Sequence, residues 1–270
     1  MFVPAHDARK VAKALASTAD AIILDLEDAV PEHMKEPARL AAAGTILERR
    51  NAGPQVWVRV NGSQTPCHDA DLGAIEWPLA GGMVFPKAEK PSSVKHLESL
   101  GLRGLLLTLE SASGFAQVTD MVAASSVTPR LALGTFDLAH DLGLTVDDPD
   151  ESELIWHLRC ETVVASRTLR LQPPVDGVYG RIDDAAGFER VTQRSFALGF
   201  GGKLLIHPVQ IPLASRIFGV SQAQLKEARA LIDAYDQAQR DGTGAIRHKG
   251  QMVDRVHVER ARTLLARWSR

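Results

Sequence analysis

At 270 residues, 45% of them hydrophobic, the chain is long enough for one large core, and a single α/β barrel takes about 250 residues. A formal net charge of −2, with acids and bases interspersed, gives no global field for nucleic acid or an anionic membrane, and no apolar run nears the roughly 18 residues of a membrane span. The N-terminus MFVPAHDARK lacks a signal-peptide h-region, and Cys67 and Cys160, with no CxxC pair, read as reduced thiols of a cytoplasmic protein rather than a disulfide or metal site.

Along the chain, short apolar runs alternate with amphipathic segments. The runs are FVPA (2–5), AIILDLED (21–28), VWVRVN (56–61), GGMVFPK (81–87), GLLLTLE (104–110), RLALGTFD (130–137), VDGVYG (175–180) and GKLLIHP (202–208). Continuous apolar runs fit strands buried on both faces, as in parallel sheets. Between the first two runs, 7–20 opens on an acidic cap and places Val11, Ala14 and Leu15 on one face of a helix. The stretch 151–171 is long enough for a longer helix. Eight strands alternating with helices predict a (β/α)8 TIM barrel. A doubly wound open sheet is the alternative, but no GxGxxG follows the first run. Past His207-Pro208 the pattern changes. A helix over 220–240, a Gly-rich polar loop over 241–251 and a basic helix over 252–270 form a C-terminal helical extension. The expected division is 1–219 for the barrel and 220–270 for the extension, a lid over the barrel or an arm to a neighbouring subunit.

In a barrel the chemistry sits where strands end. Run two ends in Asp25, Glu27 and Asp28, run three in Arg59 and Asn61, run four in Lys87, run five in Glu110 and run six in Asp137. Run seven holds Asp176 and run eight ends in His207. A satisfied salt bridge at a strand–helix turn accounts for any one of these as well, but much less for the set. Residues two apart share a face of a strand, so Asp25 and Glu27 point one way and Asp28 the other. Several carboxylates in an apolar interior need compensation. Oxygen ligands without a His/Cys cluster suit Mg²⁺, or Mn²⁺. Arg59, with its forked donors, is the natural anchor for a substrate carboxylate. A metal together with an arginine fits an α-keto or α-hydroxy acid.

The words FVPA, ADAIILDLEDAVPEHMKEPAR, VRVN, FPKAE, LTLESASG, LGTFDLAHDLG, DGVY, GFGGKLLIHPVQI and KGQMVD resemble, in order and over nearly the whole chain, the HpcH/HpaI aldolase/citrate lyase family. The resemblance is strongest to its citrate lyase beta-subunit-like and malyl-CoA lyase-like branch. It implies a TIM barrel assembled as a homotrimer or hexamer. It implies Mg²⁺-dependent carbon–carbon cleavage or formation between a 2-oxo acid and an acyl-CoA enolate, with neither nucleic acid nor membrane as partner. It further implies Glu110 and Asp137 as metal ligands, Arg59 as the oxo-acid contact, and Glu27 and Asp28 as support for metal-bound water and the reaction centre. Asp254 is then the general acid/base, brought from a neighbouring subunit. Lys35, Arg39 and Lys87 are candidates for CoA phosphates or for ion pairs around the acids, with a solvated surface pair equally open for the first two.

Three departures bear on the substrate. Met1 stands where such chains carry an Arg-Ser pair, so a CoA- or substrate-contacting arginine is missing or the start is truncated. VPA replaces VPG. The turn before Asp137 reads Thr135-Phe136, whose backbone N–H groups are expected to hold a substrate carboxylate and whose ring is expected to reshape the acyl or oxo-acid pocket. His207 reads as a packed turn before a base, and His140 as a flank of the site. Gly201-Gly202 is either a phosphate cradle or a tight turn, and Trp57 and Trp77 are core or interface residues. Two other activities stay open: a citrate lyase beta-like subunit working on an acyl-carrier-protein thioester, and a CoA-free class II aldolase.

Overall fold

The computed structural model describes residues 1–48 and 53–268. Each of the eight apolar runs carries a strand: β1 Phe2–Pro4, β2 Ala21–Asp25, β3 Gln55–Arg59, β4 Gly82–Phe85, β5 Leu105–Leu109, β6 Arg130–Leu133, β7 Val175–Asp176 and β8 Gly202–Lys203. All are parallel and lie side by side in chain order. Helices fill the connections, and their starts carry the side-chain caps that polar residues supply to orphan N–H groups. Asp7 caps Ala8–Leu15, Ser152 caps Glu153–Thr168 and Asp184 caps Ala185–Leu198.

One cluster takes a side chain from every strand or the residue beside it: Phe2, Ile23, Trp57, Val84, Leu106, Ala132, Val175 and Leu204. Laid flat, eight strands about 4.8 Å apart would hold the first and last about 34 Å from each other. The shared cluster therefore requires the sheet to curl on itself. A backbone hydrogen bond from Phe2 N–H to the Leu205 carbonyl, 2.8 Å, joins the first edge to the segment just past β8. This curled parallel sheet with intervening helices is an α/β arrangement consistent with the expected TIM-like fold. Trp57 fills part of the interior because glycines face it. A Cβ on Gly82 would lie 2.5 Å from its ring, and one on Gly104 2.7 Å.

The inward-facing cluster fixes which way the strand-end side chains point. Alternation turns Asp25, Arg59, Thr108, Gly134 and Gly177 inward at the carboxyl ends, two residues past cluster members. The same alternation turns Asp176 and Lys203 outward. Asp176, which the sequence placed among the strand-end acids, is therefore fully buried between sheet and helices. It accepts from Lys203 Nζ (2.5 Å), Arg159 Nε (2.8 Å) and Ser195 Oγ (2.6 Å). Burial works against its charge, but Lys203 and Arg159 overcome this and hold its carboxyl below the usual range. The network ties helices Glu153–Thr168 and Ala185–Leu198 to β7 and β8.

The chain divides into two compact units, Met1–Ile217 and Phe218–Arg270. The second has helix Gln222–Arg240, started by a Ser221/Gln224 capping box, and helix Arg255–Trp268. Between them, part of the expected loop and the start of the expected last helix are instead strands. β9 Ile246–His248 pairs antiparallel with β10 Gln251–Val253. Lys249 and Gly250, at φ 49° and 85°, make the two-residue turn, the pattern of a type I′ hairpin. Tyr235, Val253 and Val258 form this unit's core. Ser269 and Arg270, which the expected helix included, lie outside the described residues. Among the described residues no helix is long and apolar enough to cross a membrane.

Candidate functional site

Asp25 is the last residue of β2, and Arg59 the last of β3, directly paired with it in register. Arg59 donates from Nε and Nη2 to the two Asp25 oxygens, both at 2.7 Å. Its third nitrogen, Nη1, stands 3.0 Å from Glu27 Oε2 and 3.7 Å from Asp28. Burial opposes the guanidinium charge, but Asp25, Glu27 and Asp28 outweigh it and raise the arginine further above its ordinary value. This corrects two expectations. One donor edge of Arg59 is occupied by Asp25, and on the other Nη1 already faces Glu27 and Asp28. Asp28 also faces the same two cations as Glu27, because β2 stops at Asp25 and strand alternation no longer governs residues 26–28.

Lys87 follows β4 with φ +48°, a left-handed conformation that a side chain adopts at a cost and that collects at functional sites. In it, one residue reaches two acids. The backbone N–H donates to Glu110 Oε2 (2.8 Å) and Nζ donates to Glu27 Oε1 (2.8 Å). Glu27 is buried, and burial pushes its carboxyl up to about 6 against the pull of Arg59 and Lys87. Its Oε2, near Arg59 but not aligned for a hydrogen bond, has no hydrogen-bond partner among the described residues.

Glu110, 5% exposed at the end of β5, is pushed up to about 8, first by burial and then by the charges of Glu27 and Asp137. It projects over β6, where only glycine fits: a Cβ on Gly134 would lie 2.3 Å from Glu110 Cγ. Gly134 opens helix Thr135–Asp141, whose first turn carries Asp137. Neither Glu110 nor Asp137 forms an ion pair among the described residues. Two acids without a cation, one of them buried and resisting ionisation, are a donor set for a hard divalent cation. No three His, Cys, Asp or Glu side chains converge as a complete metal site among the described residues. Most of the coordination shell would fall to water and substrate, as is usual for the smaller ions.

The remaining predicted residues have other surroundings. Lys35 Nζ donates to the carbonyls of Leu26 and Glu27 and to Asn61 Oδ1, at 2.7–2.9 Å. Arg39 pairs with buried Asp71 at 2.8 Å, which also accepts from Asn61 N and Nδ2. Both bases thus brace the segment carrying Glu27 and are neither solvated surface groups nor open to phosphate. Thr135 is buried with Oγ1 unpartnered among the described residues, and Phe136 is exposed beside Asp137. His140 is exposed, His207 is exposed and accepts from Val209 N–H, and Gly201 N–H is engaged by the Pro174 carbonyl. Trp77 is core. Asp254, in the second unit, caps helix Arg255–Trp268 through Val256 N–H and contacts His257 Nδ1 at 2.7 Å. The His257 hydrogen bond lowers its pKa, so it is ionised at neutral pH. Asn61 was among the strand-end residues of the sequence, whereas Asp71 and the backbone N–H of Lys87 escaped it as members of this network. The polar pair Asn61–Asp71 near Arg39 was the available signal.

A protein named (3S)-malyl-CoA thioesterase from Cereibacter sphaeroides is 33% identical over 99% of this chain and 93% of its own length. The citrate lyase subunit beta of Leuconostoc mesenteroides subsp. cremoris is 31% identical over 98% and 91%. The crystal structure of CitE from Mycobacterium tuberculosis, in complex with magnesium, acetoacetate and coenzyme A, superposes with a TM-score of 0.80 at 29% identity, covering 100% of this chain and 97% of that one. Residues 1–208 match the sequence profile of the HpcH/HpaI aldolase/citrate lyase enzymes, and with the relatives above this shows that the chain belongs to that family.

Proposed function

We propose that the chain is a Mg²⁺-dependent carbon–carbon lyase. Its substrate is a thioester of coenzyme A with a hydroxyl and a carboxylate on carbon 3, of the malyl or citramalyl kind, and its products are a 2-oxo acid and acetyl-CoA. The observation that carries this reading is the Glu110–Asp137 pair, an acidic donor set at the carboxyl ends of the strands that forms no ion pair among the described residues. The magnesium and coenzyme A in the CitE complex support it.

In this reading Glu110 and Asp137 hold Mg²⁺. When bound, the ion is a Lewis acid that lowers the cost of negative charge on the reacting oxygens. The Nη1–Nη2 side of Arg59, where Glu27 stands 3.0 Å from Nη1 without a hydrogen bond, receives the oxo-acid carboxylate, with the backbone N–H groups of Thr135 and Phe136 near it. Glu27, held ionised by Lys87 and Arg59, takes the hydroxyl proton on its unpartnered oxygen. The bond between carbons 2 and 3 breaks, its electron pair passes to the thioester as the enolate, and a proton delivered to carbon 2 completes acetyl-CoA. Asp28, within 3.5 Å of Lys87, shares the charge balance around Glu27. On the strength of the KGQMVD motif, Asp254 of a second copy in a homotrimer or hexamer is the group that exchanges the proton with the enolate. In cleavage Asp254 takes up a proton from water and delivers it to carbon 2, while Glu27 releases the hydroxyl proton to water; in the condensing direction its ionised carboxylate removes the proton. The same motifs favour a closed barrel carrying a C-terminal lid. A reducing, cytoplasmic setting fits free Cys67 and Cys160.

The relative named a thioesterase favours a second reading, hydrolysis of the same thioester to free acid and coenzyme A. Product analysis separates the two. A lyase yields a 2-oxo acid with no free thiol, whereas a hydrolase yields free thiol with no 2-oxo acid.

A further inference from the structure

β2 ends at Asp25 because of a group outside the sheet. In a strand, successive residues turn their backbone groups to opposite neighbours. The Asp25 carbonyl accepts from Ala5 N–H on the β1 side, and Leu26 N–H donates to the Arg59 carbonyl on the β3 side. The Leu26 carbonyl stays on the β3 side, where Asn61 Nδ2 donates to it at 2.9 Å. A continued strand would turn the Glu27 carbonyl back towards β1. Instead it faces the same group as its predecessor. Lys35 Nζ donates to the Leu26 carbonyl at 2.9 Å and to the Glu27 carbonyl at 2.8 Å.

Two successive carbonyls on one ammonium do not fit an extended backbone, and the consequence shows in the side chains. Alternation would set Glu27 and Asp28 on opposite faces. With the backbone turned at Glu27, both acids stand against Lys87 Nζ, at 2.8 and 3.5 Å, and against Arg59 Nη1, at 3.0 and 3.7 Å. Val30 N–H closes the turn on the Glu27 carbonyl. Lys35 is itself held in place. Its third contact is Asn61 Oδ1 at 2.7 Å. Asn61 Nδ2 also donates to Asp71 at 2.6 Å, and Arg39 pairs with Asp71 at 2.8 Å. An ammonium has three hydrogens to donate, and the three acceptors use all of them. Beside the acids Lys35 holds main-chain carbonyls, not carboxylates.

Resting on the reading of Glu27 as the base, we infer that Lys35 is a positioning residue for the reaction. It fixes the turn that brings Glu27 and Asp28 to one side, and Asn61 acts through it. Lys35 serves the chemical step without touching the thioester.

The test separates kcat from KM in cleavage of malyl-CoA and citramalyl-CoA by the full chain with Mg²⁺. Lys35→Ala should lower kcat about a hundredfold, the scale of a misplacement of about 1 Å at a reacting group, with KM little changed. Calorimetric Mg²⁺ binding, which depends on Glu110 and Asp137, should be retained. Wild-type kcat in the folded variant overturns the inference. So does a raised KM with kcat retained, the signature of a phosphate contact. Loss of kcat together with Mg²⁺ binding also overturns it, because the damage is then not confined to Glu27. If Lys35→Ala does not fold, Asn61→Ala decides: a smaller fall in kcat at unchanged KM supports the inference, and an unchanged kcat overturns it. If the wild type cleaves no thioester, the lyase reading fails separately, and a crystal structure of Lys35→Ala or, failing that, Asn61→Ala decides this one. Glu27 and Asp28 parted onto opposite sides support it, and both still on Lys87 and Arg59 overturn it.

Discussion

Magnesium binding should expel a proton from Glu110. Burial and the charges of Glu27 and Asp137 push this carboxyl up to about 8, so at pH 7 it is about nine-tenths protonated, and at pH 9 about one-tenth. A cation binds only the carboxylate. Titration of the purified protein with MgCl₂ at pH 7, by calorimetry in two buffers of different ionisation enthalpy, should therefore report close to one proton released per site. At pH 9 the release should fall to near zero. The apparent affinity should rise about tenfold between the two, equivalent to about 1.4 kcal/mol. Glu110→Gln should abolish both the release and the pH dependence. The linkage to folding has the opposite sign. Without metal, the native state binds more protons than the unfolded chain between the ordinary glutamate value and about 8, so stability falls as pH rises through that window. Added Mg²⁺ should cancel the fall. Binding with no proton release and a pH-independent affinity would refute the argument that Glu110 is a metal ligand short of a counter-charge.

Two further outcomes rest on the neighbouring contacts. Lys87 helps hold Glu27 ionised, so Lys87→Met should move the acid limb of the kcat/KM profile upward from near 6 by about one unit, and an unmoved limb would separate Lys87 from the base. Asp176→Asn should destabilise the protein by about 3–5 kcal/mol in denaturant unfolding, because it strands buried Lys203 and Arg159. In the wild type, the contribution of this depressed carboxyl is present above the ordinary aspartate value and is lost as pH falls below it. A change under about 1 kcal/mol would show that the network is not needed to anchor β7 and β8.

The sheet was legible because parallel strands buried on both faces are written as unbroken apolar runs, and eight such short runs, AIILD and LLLTL among them, alternate with amphipathic segments. The convergence of Glu27, Arg59, Lys87, Glu110 and Asp137 was legible from their common place after those runs. What failed was local. Strand alternation was carried past Asp25 into a turn, where it no longer fixes a side, so Asp28 was assigned to the wrong face. The same rule was not applied to Asp176, although Val175 and Gly177 on either side of it would have turned it outward. The partner of Arg59 was hidden because its contact with Asp25 joins residues 34 apart in sequence, which only the register of β2 on β3 supplies. The β9–β10 hairpin was missed because its strands are three residues each, too short for an alternation to show, and its turn is written Lys-Gly rather than Asn-Gly.

The central claim is that the carbon–carbon bond breaks and that Glu110 is required for it. The direct measurement is product identity from citramalyl-CoA and malyl-CoA with the purified full chain, with Mg²⁺ and with EDTA, beside Glu110→Ala. The account predicts pyruvate or glyoxylate formed in equal amount with acetyl-CoA, only when Mg²⁺ is present, and a loss of at least about a hundredfold in the variant. Free thiol and hydroxy acid in place of oxo acid and acetyl-CoA, or cleavage indifferent to EDTA and to Glu110→Ala, would contradict it.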